Sequence, residues 1–159
     1  MLKLHKIIAS GLGAGYVPLA PGTAGSILGI LLFYLFNYIY NLFNIEPWLI
    51  LSLNLFAIVF VLFFGVFSIK KVHAIWEHDA SKIVIDEIVG VWIAVFAMPF
   101  HWQFYLYALL LFRFFDIVKP LCIRRLDNIG GDWSVMLDDV LAGIYSLIVL
   151  QTLYFLNIL

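Results

Sequence analysis

The sequence predicts an all-α fold, a polytopic membrane helix bundle of about five transmembrane helices with an N-terminal segment at the interface. Three observations lead to this prediction. Of the 159 residues, 65% are hydrophobic and only 12% are charged, whereas soluble domains carry roughly 25% charged residues. The apolar residues form long segments, and the charged residues gather between them. One crossing takes about 20 apolar residues, so a chain of 159 residues has room for about five or six crossings at most. We therefore expect residues 1–159 to form a single membrane domain.

The N-terminal segment combines the basic residues Lys3 and Lys6 with a weakly apolar, glycine-rich stretch at 11–15. A signal peptide needs a stronger apolar core and a cleavage site, so we expect this segment to be retained at the interface. The glycine run lacks the flanking strand of a dinucleotide loop. No basic run indicates nucleic acid as a partner.

Five apolar segments follow, and each can cross the bilayer as a helix because a helix satisfies its own backbone hydrogen bonds. The third and fourth are short and need help from their flanks. The five segments span residues 27–43, 48–69, 83–100, 102–118 and 135–159. Short turns containing Pro47 and Pro99 join the first to the second and the third to the fourth, which predicts two helical hairpins.

This topology places the two tight turns on one side of the membrane and the N-terminus and the connections 70–82 and 119–134 on the other. Every lysine and arginine lies on that second side, which the positive-inside rule makes cytoplasmic. Of the ten acidic residues, only Glu46 lies on the far side. The positive-inside rule does not explain this asymmetry of the acidic residues, so we expect it to serve a site.

Two acidic pairs enter the membrane at the same depth. Asp86 and Glu87 lie about one turn inside the third segment, and Asp138 and Asp139 begin the fifth. A charge buried there costs about 2 to 3 kcal/mol, so these residues are candidates for function. Carboxylate oxygens suit Mg²⁺, Mn²⁺ or Ca²⁺. Gly90, four residues after Asp86, would let a neighbouring helix approach beside the acids.

Asp79 precedes Asp86 by seven residues. If the third helix begins early, both acids share one stripe of it, with Lys82 between them. Near the end of the fourth helix, Arg113, Asp116 and Lys119 recur every three residues, and the arginine and the lysine supply cations beside the carboxylates. Cations of this kind stabilise a transferring phosphoryl group.

The first helix opens with the sequence PGTAGS, which offers free backbone N–H groups and the hydroxyls of Thr23 and Ser26 to a phosphate. Close helix packing explains the spacing of Gly25 and Gly29 equally well. Both interpretations stay open.

Two other interpretations of the acids remain. The acids could simply pair with neighbouring cations, or they could be the cation sites or proton relays of a small transporter or channel subunit. A transporter needs polar residues through the full depth of the bilayer. The far half of each segment is almost wholly apolar, apart from Asn37, Asn41, Asn54 and Gln151. This pattern favours a site at one face.

Four motifs, in order, resemble the phosphatidylglycerophosphatase A family. They are PGTAGS, DASKIVIDEIVG, FRFFDIVKP and MLDDVLAG, and the match covers nearly the whole chain. The resemblance implies a Mg²⁺-dependent enzyme of the bacterial inner membrane, and the distribution of basic residues predicts that its active site faces the cytoplasm. It implies hydrolysis of phosphatidylglycerophosphate to phosphatidylglycerol and phosphate within glycerophospholipid biosynthesis.

The resemblance also implies which residues matter, and from the chemistry of their side chains we predict the following roles. The catalytic candidates are Asp79, Asp86, Arg113, Asp116 and Lys119. The substrate-binding candidates are Thr23, Ser26, Lys82, Arg113 and Lys119, and the metal-binding candidates are Asp86, Glu87, Asp138 and Asp139. In the loop 127–134 the sequence departs from the glycine-rich family pattern, because Ser134 replaces a glycine and Asp132 adds a charge.

Overall fold

The structure, a computed structural model, describes residues 2–73, 75–76, 81–120, 123–124 and 131–159. These ranges are largely helical and contain no strand, which confirms the all-α prediction. The helices are α1 (Leu2–Ala9), a 3₁₀ helix (Gly11–Tyr16), α2 (Pro21–Leu42), α3 (Pro47–Val72), α4 (Ile85–Ala94), α5 (Trp102–Val118) and α6 (Asp132–Phe155).

Three of the described helices are long and apolar enough to cross a membrane: α2 with 22 residues, α3 with 26 and α6 with 24. Helices α4 and α5 have 10 and 17 residues, so at about 1.5 Å per residue they are roughly 15 Å and 25 Å long. The three long helices identify the chain as a membrane protein by their length and composition. The count of five crossings stays a prediction.

Helix α4 is much shorter than the predicted segment 83–100. Its first helical residue is Ile85, and it ends at Ala94 because the chain then turns, with Ala97 in the left-handed region at φ 60°. The ring of Phe100, just after the turn, stacks on Tyr34 of α2 at 4.8 Å. The turn therefore packs beside α2 about eight residues before that helix ends.

Glycines bring α4 against its neighbours. A Cβ at Gly143 of α6 would overlap the carbonyl oxygen of Gly90, and a Cβ at Gly90 would lie 2.8 Å from the carbonyl oxygen of Asp139. On the other side of α4, a Cβ at Gly29 of α2 would lie 2.8 Å from Val91 Cγ1. Helix α4 is thus packed closely between α2 and α6, as the small residues predicted.

Two buried hydrogen bonds fasten α2 to other helices. Asn54 Nδ2 of α3 donates to Asn37 Oδ1 at 2.9 Å, and Trp92 Nε1 of α4 donates to the carbonyl oxygen of Gly29 at 2.7 Å. The asparagines also line a cavity of about 360 Å³ with Met98 and Pro99 of the α4–α5 turn. These far-side polar residues therefore have packing partners within the bundle.

Candidate metal and phosphate site

Four helices meet at the end of the bundle that the predicted topology places on the cytoplasmic side. They are α2, α4, α5 and α6. Asp86 and Glu87 lie in the first turn of α4, and Asp138 and Asp139 lie two turns into α6. The close packing of α4 against α6 at Gly90 and Gly143 allows these two acidic pairs to meet.

Three carboxylates form a compact group, which we term the carboxylate cluster: Asp86, Glu87 and Asp139. One oxygen from each lies within 4.8 Å of the other two. Asp86 and Asp139 are 7% and 4% exposed. Buried like charges at this separation repel each other strongly, and a bound cation would offset that repulsion.

Buried atoms without partners also point to a missing ligand. Among the described residues, Asp86 Oδ1, Glu87 Oε2 and Arg113 Nε are buried and have no hydrogen-bond partner. Leaving such groups unpaired is costly, because each has lost its contact with water. The first two are acceptors and the third is a donor, so the arrangement can take both a cation and an anion.

Arg113 lies between the carboxylate cluster and the start of α2. Its Nη1 is 2.7 Å from Asp116 Oδ2 and donates to Ser26 Oγ at 3.4 Å. A Cβ at Gly22 would overlap Glu87 Oε1 and lie 3.2 Å from Arg113 Nη1. The first turn of α2 therefore faces both a carboxylate and a guanidinium group, and N–H groups in the first turn of a helix have no acceptor within the helix itself.

Lys119 and Asp138 form a second ion pair beside the cluster. The Lys119 Nζ lies 2.7 Å from Asp138 Oδ2. Lys119 caps α5 in the left-handed conformation, with φ 45° and ψ 56°, which is uncommon for a residue with a side chain. Asp138, predicted as a metal ligand, thus lies next to the three-carboxylate group with its Oδ2 engaged by a lysine.

The remaining predicted site residues lie in different surroundings. Thr23 is partly buried in the first turn of α2, and the fully buried Ser26 donates its hydroxyl proton to the carbonyl oxygen of Gly22 at 2.8 Å. Lys82 is exposed in a turn, and its Nζ lies 6.0 Å from the centre of the Tyr16 ring. Asp79 lies outside the described residues.

One prediction about this region depends on where α4 begins. A shared stripe of Asp79, Lys82 and Asp86 required the helix to begin early; residues 81–84 are not helical, so that condition is not met. Asp132, which departs from the family pattern, pairs with His73 of the α3 end. The sequence reasoning missed Gly22 as a contact of the carboxylate cluster, although its place in PGTAGS was a signal.

The chain is similar to a family and to proteins of known description. The family model described as "Phosphatidylglycerophosphatase A" matches residues 7–154. A phosphatidylglycerophosphatase A from Haemophilus influenzae is 40% identical over 156 residues, covering 94% of this chain and 88% of that protein. The Escherichia coli protein of the same name is 34% identical over 143 residues, covering 88% and 77%.

A relative from Bacteroides thetaiotaomicron carries a different name. It is provisionally named a phosphatidylinositol-3-phosphatase and is 40% identical over 150 residues, covering 92% of this chain and 91% of that protein. No solved structure matches the chain. The two names share one chemical feature, a phosphate monoester on a lipid headgroup.

Proposed function

The chain belongs to the phosphatidylglycerophosphatase A family, and from this premise we propose that it hydrolyses phosphatidylglycerophosphate with the help of Mg²⁺. Water attacks the terminal phosphorus, the bond from phosphorus to the glycerol oxygen breaks, and the products are phosphatidylglycerol and inorganic phosphate. Membership of this family makes the chain a phosphatase. The cofactor, the residue roles and the place in lipid synthesis are parts of the proposal.

The observation that carries the proposal is the carboxylate cluster beside Arg113. Three hard oxygen ligands within 4.8 Å fit a divalent cation, and Mg²⁺ commonly joins one or two protein carboxylates to substrate phosphates. We propose Asp86, Glu87 and Asp139 as ligands, with Asp138 as a further ligand or a partner of Lys119. When bound, the ion would offset negative charge on the phosphate and polarise its oxygens.

The cations of α5 are suited to hold the phosphate. Arg113 has a buried Nε without a hydrogen-bond partner among the described residues, so its guanidinium can still donate to an anion. Lys119 supplies a second positive charge, and the N–H groups of the first turn of α2 near Thr23 supply neutral donors. Ser26 and Asp116 contact Arg113 and orient it. The proposed role of Lys82 is a contact to the outer part of the headgroup.

A proton must leave the attacking water and reach the departing glycerol oxygen. Asp116 lies close enough to Glu87 and Asp139 to interact with them electrostatically, and we propose it, or Asp79, as the acceptor. Attack by a carboxylate is the alternative and would leave a phospho-aspartyl group for water to hydrolyse. Trapping of labelled phosphate on the protein would support that alternative and exclude direct attack by water.

We propose the cytoplasmic face of a bacterial inner membrane as the location of the site. The distribution of basic residues supports this orientation. A phospholipid could then keep its acyl chains in the bilayer while its headgroup reaches the carboxylate cluster at the membrane surface.

The test is phosphate release by the purified full-length chain in detergent, with phosphatidylglycerophosphate and phosphatidylinositol 3-phosphate as parallel substrates. We expect release from the first substrate with Mg²⁺ and none with EDTA. Preference for the second substrate would change the substrate assignment but keep the phosphatase site. No release from either substrate would contradict the proposal.

A transporter or channel is the second candidate from another class. The cavity near Asn37 and Asn54 is lined in part by Phe33, whose ring centre lies 5.5 Å from that of the buried Trp92. This apolar packing does not favour a transport path through the part of the bundle that the structure describes.

A further inference from the structure

The short segment 82–84 leads directly into α4 and therefore into the carboxylate cluster. It is held by the N-terminal part of the chain, since Val84 N–H donates to the carbonyl oxygen of Ala9 at 2.9 Å. Val84 is fully buried and is the residue before the first helical residue, Ile85. Asp86 and Glu87 follow in the first turn, so the placement of this segment determines where their carboxylates lie.

Gly15 makes the closest of these contacts. A Cβ at Gly15 would overlap the carbonyl oxygen of Lys82 and would lie 2.8 Å from its carbonyl carbon and 3.1 Å from its Cα. The neighbouring atoms belong to the backbone, so they cannot rotate away as a side chain would. Only glycine lets the N-terminal segment approach the chain this closely just before α4.

Two further glycines, one in the N-terminal segment and one in α2, pack closely against Val84. A Cβ at Gly11 would lie 2.9 Å from Val84 Cγ2, and a Cβ at Gly25 of α2 would lie 2.7 Å from Val84 Cβ. The N-terminal segment and α2 therefore contact the same residue. This arrangement leaves little freedom for the chain that enters α4.

The N-terminal segment has its own internal order. The carbonyl oxygen of the buried Ser10 accepts the N–H groups of Gly13 at 3.1 Å and Gly15 at 3.0 Å. Gly11 has φ 52° and Leu12 has φ 56°, both in the left-handed region. The glycine run thus makes a tight turn that is held by its own hydrogen bonds. This turn lies against Lys82.

We infer that Gly11, Gly15 and Gly25 form a positioning clasp that holds residues 82–84, so that Asp86 and Glu87 meet Asp139 at the spacing a divalent cation needs. The inference rests on the proposed function. It assigns a purpose to the glycine run at 11–15, whose Gly11 and Gly15 approach Val84 and Lys82 and to which the proposed reaction gives no role.

The test uses Gly15→Ala and measures binding of Mn²⁺ to the substrate-free protein by electron paramagnetic resonance. The added methyl group must displace the Lys82 backbone, so we expect at least about tenfold weaker Mn²⁺ binding. A misplacement of about 1 Å at a site can reduce activity on the order of 10²-fold, and we expect kcat to fall with it. Circular dichroism monitors the helical fold.

Gly13→Ala is the matched control. It adds the same methyl group to the same run and controls for backbone strain, because its φ of 103° disfavours a side chain while Gly15 has no such φ. Apart from its chain neighbours, no atom of the described residues lies within 4 Å of the new Cβ. We expect Mn²⁺ affinity within about twofold of the original chain. Equal losses in the two variants would overturn the inference, because they would reflect general strain in the turn.

Val84→Ala provides a second variant if Gly15→Ala does not assemble. It removes Val84 Cγ2, which lies 2.9 Å from a Cβ built at Gly11 and 3.1 Å from one built at Gly25, but keeps Val84 Cβ. We expect Mn²⁺ binding to weaken several-fold. Unchanged affinity in this variant, or in a folded Gly15→Ala, overturns the clasp even when the original chain binds Mn²⁺ and hydrolyses lipid phosphate. If the original chain neither binds Mn²⁺ nor releases phosphate, the proposed function itself fails.

Discussion

At the scale of single residues, the chain places three carboxylates within 4.8 Å of one another, with Asp86 and Asp139 buried and Glu87 partly buried. An apolar helix does not need a carboxylate at any of these positions, and each carboxylate destabilises the fold unless a cation compensates its charge. Their position was predictable from the sequence because acids inside apolar segments are conspicuous. The sequence could not show that Asp138 pairs with Lys119 while Asp139 joins Asp86 and Glu87. Neighbouring residues on α6 point in directions set by the packing of α4 and α5.

Asp139→Asn should abolish most of the activity. The substitution keeps the size of the side chain and removes one charged ligand, so we expect kcat/KM to fall at least about 100-fold and the half-saturating Mg²⁺ concentration to rise. Steady-state phosphate release at several Mg²⁺ concentrations measures both. Glu46→Gln, an acid exposed at the opposite end of the molecule, is the control and should leave both values unchanged. Full activity in Asp139→Asn would remove this residue from the site.

Arg113→Lys should impair catalysis although it keeps the charge. Arg113 contacts Asp116 and Ser26 through Nη1 and keeps Nε available for a further hydrogen bond. A lysine has a single nitrogen and cannot reproduce this spacing of donors. We expect kcat to fall on the order of 10²-fold. Lys82→Gln is the comparison, and we expect a smaller loss because Lys82 lies over Tyr16. An equal loss in both variants would contradict this view of Arg113.

At the scale of elements, the sequence predicted helix α5 over 102–118, and the structure has it at Trp102–Val118. The prediction worked because His101 and Pro120 interrupt the apolar pattern at both ends. The length of helix α4 was overestimated, because the turn at Ala97 contains no glycine that would have indicated the end of the helix. Its left-handed residue depends on packing of the following Phe100 against α2, which a local pattern does not contain.

Gly143→Ala should destabilise the bundle, because the added Cβ overlaps the carbonyl oxygen of Gly90 and would separate α6 from α4. Overpacking of this kind costs about 1 to 3 kcal/mol. Thermal unfolding in detergent, followed by tryptophan fluorescence, should show a lower Tm. Ile148→Ala on the exposed face of the same helix is the control, with an expected change well below that range. A Tm for Gly143→Ala equal to that of the original chain would indicate that the two helices are less closely packed.

Asn54→Val should weaken the link between α2 and α3 without affecting catalysis. The change removes the hydrogen bond to Asn37 Oδ1, and interhelical bonds of this type in membranes contribute about 1 kcal/mol. We expect a modest decrease in Tm and unchanged kcat/KM. A large loss of kcat/KM with an unchanged Tm would instead connect the far side of the bundle with the reaction.

At the scale of the whole molecule, the chain separates a polar face from an apolar body. The charge distribution alone predicted this separation, because all basic residues and nine of the ten acids fall on one side of the predicted topology. The substrate could not be predicted from charge and came from family membership. The clasp around residues 82–84 was not predictable either, since it depends on contacts between segments that are about 70 residues apart.

The orientation of α3 gives a direct test of topology. Glu46 and Lys70 lie at opposite ends of this 26-residue helix. In a background with Cys122→Ser, we expect Glu46→Cys to react with a membrane-impermeant maleimide added outside spheroplasts, and Lys70→Cys to react only after the membrane is permeabilised. External labelling of Lys70→Cys with protection of Glu46→Cys would reverse the orientation. Labelling of both from outside would show that α3 does not cross.

The most direct measurement is the distance between the bound cation and the lipid phosphate. Mn²⁺ is added to the purified chain in place of the proposed Mg²⁺, together with a phosphonate analogue of the proposed substrate phosphatidylglycerophosphate. Electron–nuclear double resonance then detects ³¹P near the metal. The account predicts a ³¹P coupling typical of direct phosphate coordination, and its loss in Asp139→Asn. Mn²⁺ bound without any ³¹P coupling in the original chain, or coupling unchanged in Asp139→Asn, would contradict the claim that the carboxylate cluster holds the cation against the phosphate.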